Sequence, residues 1–133
     1  MNGQMKNKIF DCITFFDNNF IFDFRFNILK DVVDFFVVCE SKFDHRNKPK
    51  KLNFDNNLYP KNKIKYFVLD TPFPERTDLW QNQAIQREFL LENLDFAEPN
   101  DFIFFSDPDE IPNPKILENF QLEKKYGIFF QKC

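Results

Sequence analysis

The chain has 133 residues, 43% of them hydrophobic and 29% charged, which suits one domain with a modest core and excludes a disordered composition. A net charge of -3 lies too near neutral for a nucleic-acid binder, and no run reaches the roughly 18 apolar residues of a membrane span, so a cytoplasmic protein is expected. Two glycines, Gly3 and Gly127, exclude a G-x-G-x-x-G turn and a Walker loop, and His45 as the sole histidine excludes a multi-histidine metal site.

In chain order, "KIFDCITFF" (8–16) reads as a first buried strand. "FIFDFRFNIL" (20–29) carries two periods at once: Phe20, Phe22, Phe24, Phe26 and Ile28 alternate as in a strand, while Ile21, Phe24, Ile28 and Val32 fit a helical face. Asp17, Asn18 and Asn19 ahead of it are good N-cap residues, yet periodicity alone leaves both open. "DFFVVCES" (34–41) has the aromatic and β-branched character of a central strand covered on both faces. A polar, basic loop follows, and "IKYFVLD" (64–70) is a second such strand. Residues 78–94 fit a helix capped by Asp78, with Trp80, Ala84, Arg87, Leu91 and Leu94 on one side. "FIFFS" is a third buried strand, stopped by Pro112 and Pro114. "ILENFQLEKK" reads as a short helix and "YGIFFQKC" as a further strand. The cysteines Cys12, Cys39 and Cys133 have no C-x-x-C spacing and are expected as reduced thiols, the first two packed among apolar neighbours. Most of the 21 phenylalanines are read as core.

Strand, connection, strand, helix, strand is the rhythm of an α/β layer with a largely parallel sheet. Ligands of such sheets bind beyond the carboxyl ends of the strands. Glu40, Asp70 and residues 107–110 all fall at such ends and should converge on one edge.

The last of these is the most pointed. "SDPDEIP" places Asp107, Asp109 and Glu110 within four positions directly after a buried strand. At about 5 Å and an effective dielectric near 20, each pair of such charges repels by about 3 kcal/mol, so a positive partner belongs there. A D-x-D at a strand end can offer carboxylate oxygens to Mg²⁺ or Mn²⁺ that also bind a substrate diphosphate. The plainer reading is an exposed acidic turn. With no glycine-lined nest available, a phosphate-bearing ligand must be neutralised by a metal or by cationic side chains.

"FNILKDVVDFFVVCES", "WQNQAIQREFL" and "DFIFFSDPDEIP" resemble three ordered blocks of glycosyltransferase family 17, the family of the β-1,4-mannosyl-glycoprotein 4-β-N-acetylglucosaminyltransferases. The resemblance runs from Ile9 to about Phe130. It implies a GT-A-like nucleotide-sugar fold, α/β with a mostly parallel central sheet flanked by helices. It also implies an inverting transfer of a sugar, GlcNAc in particular, from a UDP-sugar donor to a glycan acceptor, and a helix over "NNFIFDFRFNIL". By the same resemblance Asp107 and Asp109 hold a divalent cation, Mn²⁺ or Mg²⁺, on the donor diphosphate, and Glu110 joins them as a ligand or orients the loop.

Glu40 is expected near the uracil or ribose, or as a strand cap. Asp70 is a further donor-edge residue. Arg87 is expected either at the diphosphate or as a surface ion pair with Glu88 and Glu92. The basic loop with Lys48, Lys50 and Lys51 either steers an anionic donor or is simply solvated, and His45 is read as surface. Trp80 and Arg87 match the family pattern, whereas Gln83 stands where the family often carries an acid. Family members continue beyond "YGIFFQKC". The implied arrangement is therefore a donor-binding half, with the general base outside the chain and a second chain able to complete the fold. The alternative is a non-catalytic nucleotide-sugar-binding fragment or pseudoenzyme.

Overall fold

The computed structural model describes residues 8–118, and within them the apolar runs become a parallel sheet with helices on its two faces. The order along the chain is β1 (Ile9–Phe15), α1 (Asn19–Leu29), β2 (Phe35–Ser41), a 3-10 turn (Asn56–Leu58), β3 (Ile64–Leu69), α2 (Leu79–Glu92), β4 (Phe102–Phe105) and α3 (Pro114–Glu118). In space the strands run β3-β2-β1-β4, and every pair is parallel. The α/β expectation holds for the described residues. "YGIFFQKC", Cys133 and all of "ILENFQLEKK" beyond Glu118 lie outside them. No described helix is long and apolar enough to cross a membrane.

Why "NFIFDFRFNIL" is a helix follows from the sheet. β1 and β2 are parallel neighbours, in register from Phe10 against Phe35 to Phe15 against Glu40, so the chain between them must cross back over a face. Asn18 caps that crossover, its side chain accepting from the Ile21 amide at 3.0 Å. Phe22, Arg25, Phe26 and Leu29 form the buried stripe, spaced three and four apart. Phe20 and Phe24, which the alternating pattern would bury, stand 76% and 53% exposed. The helical face expected from Ile21, Phe24, Ile28 and Val32 is not the buried one either, since Phe24 is exposed and the other three are half-buried. The 3.6-residue period wins.

Alternation along β1 then divides the core. Ile9, Ile13 and Phe15 meet Phe22, Phe26 and Leu29 of α1 together with Phe36, Phe54, Tyr59 and Leu117. Phe10 and Cys12 face the other way and pack with Val37, Cys39, Leu90 and Leu94 beneath α2. The first layer is aromatic: the Phe22 ring meets Phe54 and Tyr59 edge-on, each at 5.0 Å between centroids. Cys12 and Cys39 are buried free thiols, and burial pushes Cys39 up to about 12 and Cys12 higher still, so neither is a thiolate near neutral pH.

The structure also corrects the sequence reading of the outer strands and of α2. β3, expected as a strand covered on both faces, and β4, expected as a buried strand, are the outer strands among the described residues and are half-buried along much of their length. Helix α2 begins at a capping box between Asp78 and Gln81, as its sequence promised, but it buries a different face. Asn82, Gln86 and Leu90 point inward, whereas Trp80 is 77% exposed and Ala84, Arg87 and Leu91 are also exposed; of the expected side only Leu94 is buried. The buried amides are satisfied: Asn82 donates to the His45 carbonyl at 2.8 Å and Gln86 to the Cys39 carbonyl at 3.0 Å.

Candidate functional site at the carboxyl edge

From β1 the chain steps outward through β2 to β3, then returns through α2 to β4 on the opposite side of β1. Connections therefore diverge between β1 and β4, and at such a switch point the loops beyond the strand ends part and leave a crevice. A cleft of about 200 Å³ lies there. Thr14, Phe15, Phe16, Asp17 and Asn18, at the end of β1 and the entry to α1, form one wall; Asp107 and Pro108 beyond β4 form another; Gln83 and Arg87 of α2 and His45 of the basic loop close it.

Asp107 and Arg87 are the charged pair of expected site residues that the fold brings together. Arg87 stacks its guanidinium 4.8 Å above the Phe105 ring, one strand-end residue from the acidic turn. Loss of hydration raises Asp107 above the ordinary aspartate value, the Glu110 and Asp109 charges raise it further, and Arg87 pulls it back. The turn is therefore a place where negative charge is held at a cost.

Its other two carboxylates stand differently. Glu110 accepts the Asp107 amide on Oε1 at 3.0 Å and donates its own amide to the Asp107 carbonyl at 2.9 Å, so its side chain closes the turn. Asp109 is exposed. Among the described residues no group of three or more His, Cys, Asp or Glu side chains is gathered as a metal cage. The all-oxygen donor set suits a hard divalent cation that takes one or two carboxylates and fills its remaining positions with phosphate and water. Asp107 and Asp109 would hold such an ion.

The cation that acts on the turn's carboxylates is Arg87, while a second arginine, Arg25, holds the turn's backbone. This arginine is buried under α1, with its Nε 2.7 Å from Asp11 Oδ2 and its Nη2 2.5 Å from Asp11 Oδ1. Its Nη1 donates to the carbonyls of Asp107, Pro108 and Glu110 at 3.3, 3.4 and 2.7 Å, and Nη2 reaches Ser106 Oγ at 2.8 Å. The guanidinium meets the backbone of the turn, not its carboxylates. Sequence reasoning passed over both residues, although Asp11 is the lone charge in "IFDCITF" and Arg25 stands with Asp23 as one of two charges in "FIFDFRFNIL".

Glu40 and Asp70 share the edge but not the cleft. The Glu40 carboxylate is fully buried and takes four donors: Lys50 Nζ, the Asn53 amide and the Tyr66 hydroxyl, each at 2.7 Å, and the Phe54 amide at 3.0 Å. Every lone pair it could offer a donor ribose is engaged in tying the loop at 50–54 to β2, so of the two roles weighed for it the contacts support anchoring. Burial, and then the hydrogen bond to this carboxylate, pushes the Tyr66 hydroxyl well above its usual range. Lys50, spent on Glu40, also lies 5.5 Å above the Phe16 ring. Asp70 pairs with Lys42 at 2.9 Å where both side chains are substantially hydrated, an ion pair of little consequence.

His45, read as surface, instead borders the cleft half-buried. Its Nε2 lies 2.9 Å from Gln86 Oε1, whose amide nitrogen is already given to Cys39; the neutral ring therefore carries its proton on Nε2. Asn47, in the left-handed region at φ 64°, fixes this loop by exchanging two hydrogen bonds with the Phe73 backbone.

Comparison with known proteins places the chain in a family. The family model of glycosyltransferase family 17 matches residues 2–129. The curated β-1,4-mannosyl-glycoprotein 4-β-N-acetylglucosaminyltransferases of Homo sapiens and Rattus norvegicus are each 38% identical over 104 residues, which covers 69% of this chain and 19% of theirs. The chain thus spans about a fifth of the length of the curated relatives it matches. No solved structure matches it.

Proposed function

Because the chain belongs to glycosyltransferase family 17, we propose that its carboxyl-edge cleft binds the diphosphate end of a UDP-sugar donor and serves transfer of the sugar, N-acetylglucosamine by the name of the curated relatives, to a glycan acceptor. The observation that carries this reading is the meeting of Arg87 and Asp107 at the β1–β4 switch point. Arg87 supplies a fixed cation to an anionic donor, and its planar fork suits phosphate oxygens. The residues 14–18 at the end of β1 supply the opposite wall, where Thr14 and Asn18 offer polar groups and Phe16 an aromatic face.

Asp107 and Asp109 are the residues for Mn²⁺ or Mg²⁺. Such an ion, when bound, neutralises the charge that gathers on the departing nucleotide. Inverting transfer breaks the bond from the anomeric carbon to the diphosphate oxygen and forms one to the acceptor hydroxyl oxygen, whose proton passes to a base. No described residue is assigned as that base.

Gln83 favours a second reading. An uncharged amide lines the cleft at a position where an acid would be the more reactive choice, which suits a module that binds the donor without transferring it. Calorimetry with Mn²⁺ and UDP, followed by an assay with radiolabelled UDP-N-acetylglucosamine and mannose-containing acceptors, separates the readings. Metal-dependent UDP binding with turnover supports the transferase, binding without turnover supports the second reading, and absence of binding overturns both.

A further inference from the structure

A buried arginine needs a reason. Arg25 lies among Phe22, Phe26 and Leu29, where an apolar side chain of similar size would fill the space without stripping water from a charge. Its hydrogen bonds are directed: one edge of the guanidinium is held bidentate by Asp11, and the other carries three carbonyls and a hydroxyl from residues 106–110. The Asp-Pro-Asp-Glu turn has its own closing bonds, two between Asp107 and Glu110 and one from the Ser106 hydroxyl to the Glu110 carbonyl, but they leave the Pro108 carbonyl to Arg25. Pro108 has no amide to donate, and the three neighbouring carboxylates repel one another. Convergence of the turn's carbonyl oxygens on one guanidinium supplies donors that the turn lacks, and it sets the backbone from which Asp107 lines the cleft.

From this geometry we propose that Arg25, held by Asp11, is a positioning residue that shapes the 106–110 turn and so sets where the Asp107 carboxylate stands for the cation and diphosphate. The role rests on the donor-binding reading above for its purpose, but the shaping of the turn is measurable without a donor. Arg25 touches neither ligand; it acts through Asp107.

The test uses the full chain carrying Arg25→Lys, which keeps the charge and loses the planar fork. Amide exchange is followed at Asp107 and Glu110, both hydrogen-bonded within the turn, and at sheet residues such as Val37 as a gauge of global stability. Exchange at the two turn amides should rise markedly more than at Val37. The affinity for Mn²⁺ with UDP should fall by about tenfold, as for other residues that orient metal ligands. In an Asp107→Asn background the same substitution should cost no further affinity, since the residue it acts through is already disabled. Turn and sheet amides loosening in step, or equal fold-losses of affinity in both backgrounds, would make Arg25 a core residue and overturn the proposal. Should Arg25→Lys not fold, Ser106→Ala removes one of the guanidinium's turn contacts at a half-buried position and is read by the same exchange comparison. Failure of the unsubstituted chain to bind Mn²⁺ with UDP overturns the donor reading, while the exchange comparison still decides whether Arg25 shapes the turn.

Discussion

Asp107 is a carboxylate that folding makes harder to ionise, and the sign of that effect gives a test. Its acidity in the fold is weakened relative to the ordinary value of 3.8, so between that value and the raised one the native state holds more proton than the unfolded chain. Its contribution to stability is therefore present in acid and lost as pH rises through the raised value. Asp107→Asn should leave stability near neutral pH unchanged or slightly higher, while lowering affinity for Mn²⁺ with UDP by at least about tenfold. Thermal melts across the acid range, set beside calorimetry at neutral pH, measure both; a variant that is less stable at neutral pH yet binds normally would contradict the assignment. Glu40 is expected to behave in the opposite way. Glu40→Gln breaks its buried contact with Lys50 and should cost about 3 kcal/mol in urea unfolding. UDP affinity of the folded protein should hardly change, because the carboxylate is spent on the loop and not on the cleft.

At the scale of the element, α2 is the sharpest case. Its hydrophobic pattern nominated a side containing Trp80 and Leu91, yet the helix lies on Asn82, Gln86 and Leu90. Leu90→Ala should cost about 2–5 kcal/mol, whereas Trp80→Ala should change stability by no more than about 0.5 kcal/mol. Asp78→Ala removes the cap and should cost about 1 kcal/mol. Chemical denaturation of the three variants measures the ranking, and a Trp80 effect as large as that of Leu90 would restore the discarded face. α1 illustrates the reverse, since the competing two-residue period was resolved by a requirement outside the helix itself. Parallel strands cannot be joined by a tight turn, so a segment between β1 and β2 that might have alternated was made to cross over and bury every third or fourth residue instead.

For the molecule as a whole, strand order decides where a ligand can go. Because β4 pairs with β1 and not with β3, the β1–α1 entry and the acidic turn become neighbours although some 90 residues separate them in sequence. Addition of Mn²⁺ with UDP should slow amide exchange in residues 14–18 and at Asp107, Asp109 and Glu110 together, and leave Asp70, at the carboxyl end of the outer strand β3, unaffected. Exchange measured with and without ligand tests this; protection centred on Asp70 would move the site to the other side of the sheet.

What the sequence determined by itself is the local and the compositional. Apolar runs bounded by polar breaks announced β1 and β2 and the parallel α/β class, Asp78 announced the start of α2, and "SDPDEIP" announced a turn in need of positive charge. Each is legible because spacing along one element governs which side chains share a face. Only the tertiary structure decided what holds the backbone of that turn, since Arg25 lies 82 positions from the first carbonyl it holds and reaches it only once α1 has crossed the sheet. It likewise decided that Gln86 faces inward and draws His45 to the cleft, and that Glu40 is consumed by the loop at 50–54. The physical reason is common to all three. A polar side chain can be buried wherever the fold supplies partners for its hydrogen bonds, and those partners come from distant segments that no local period can register.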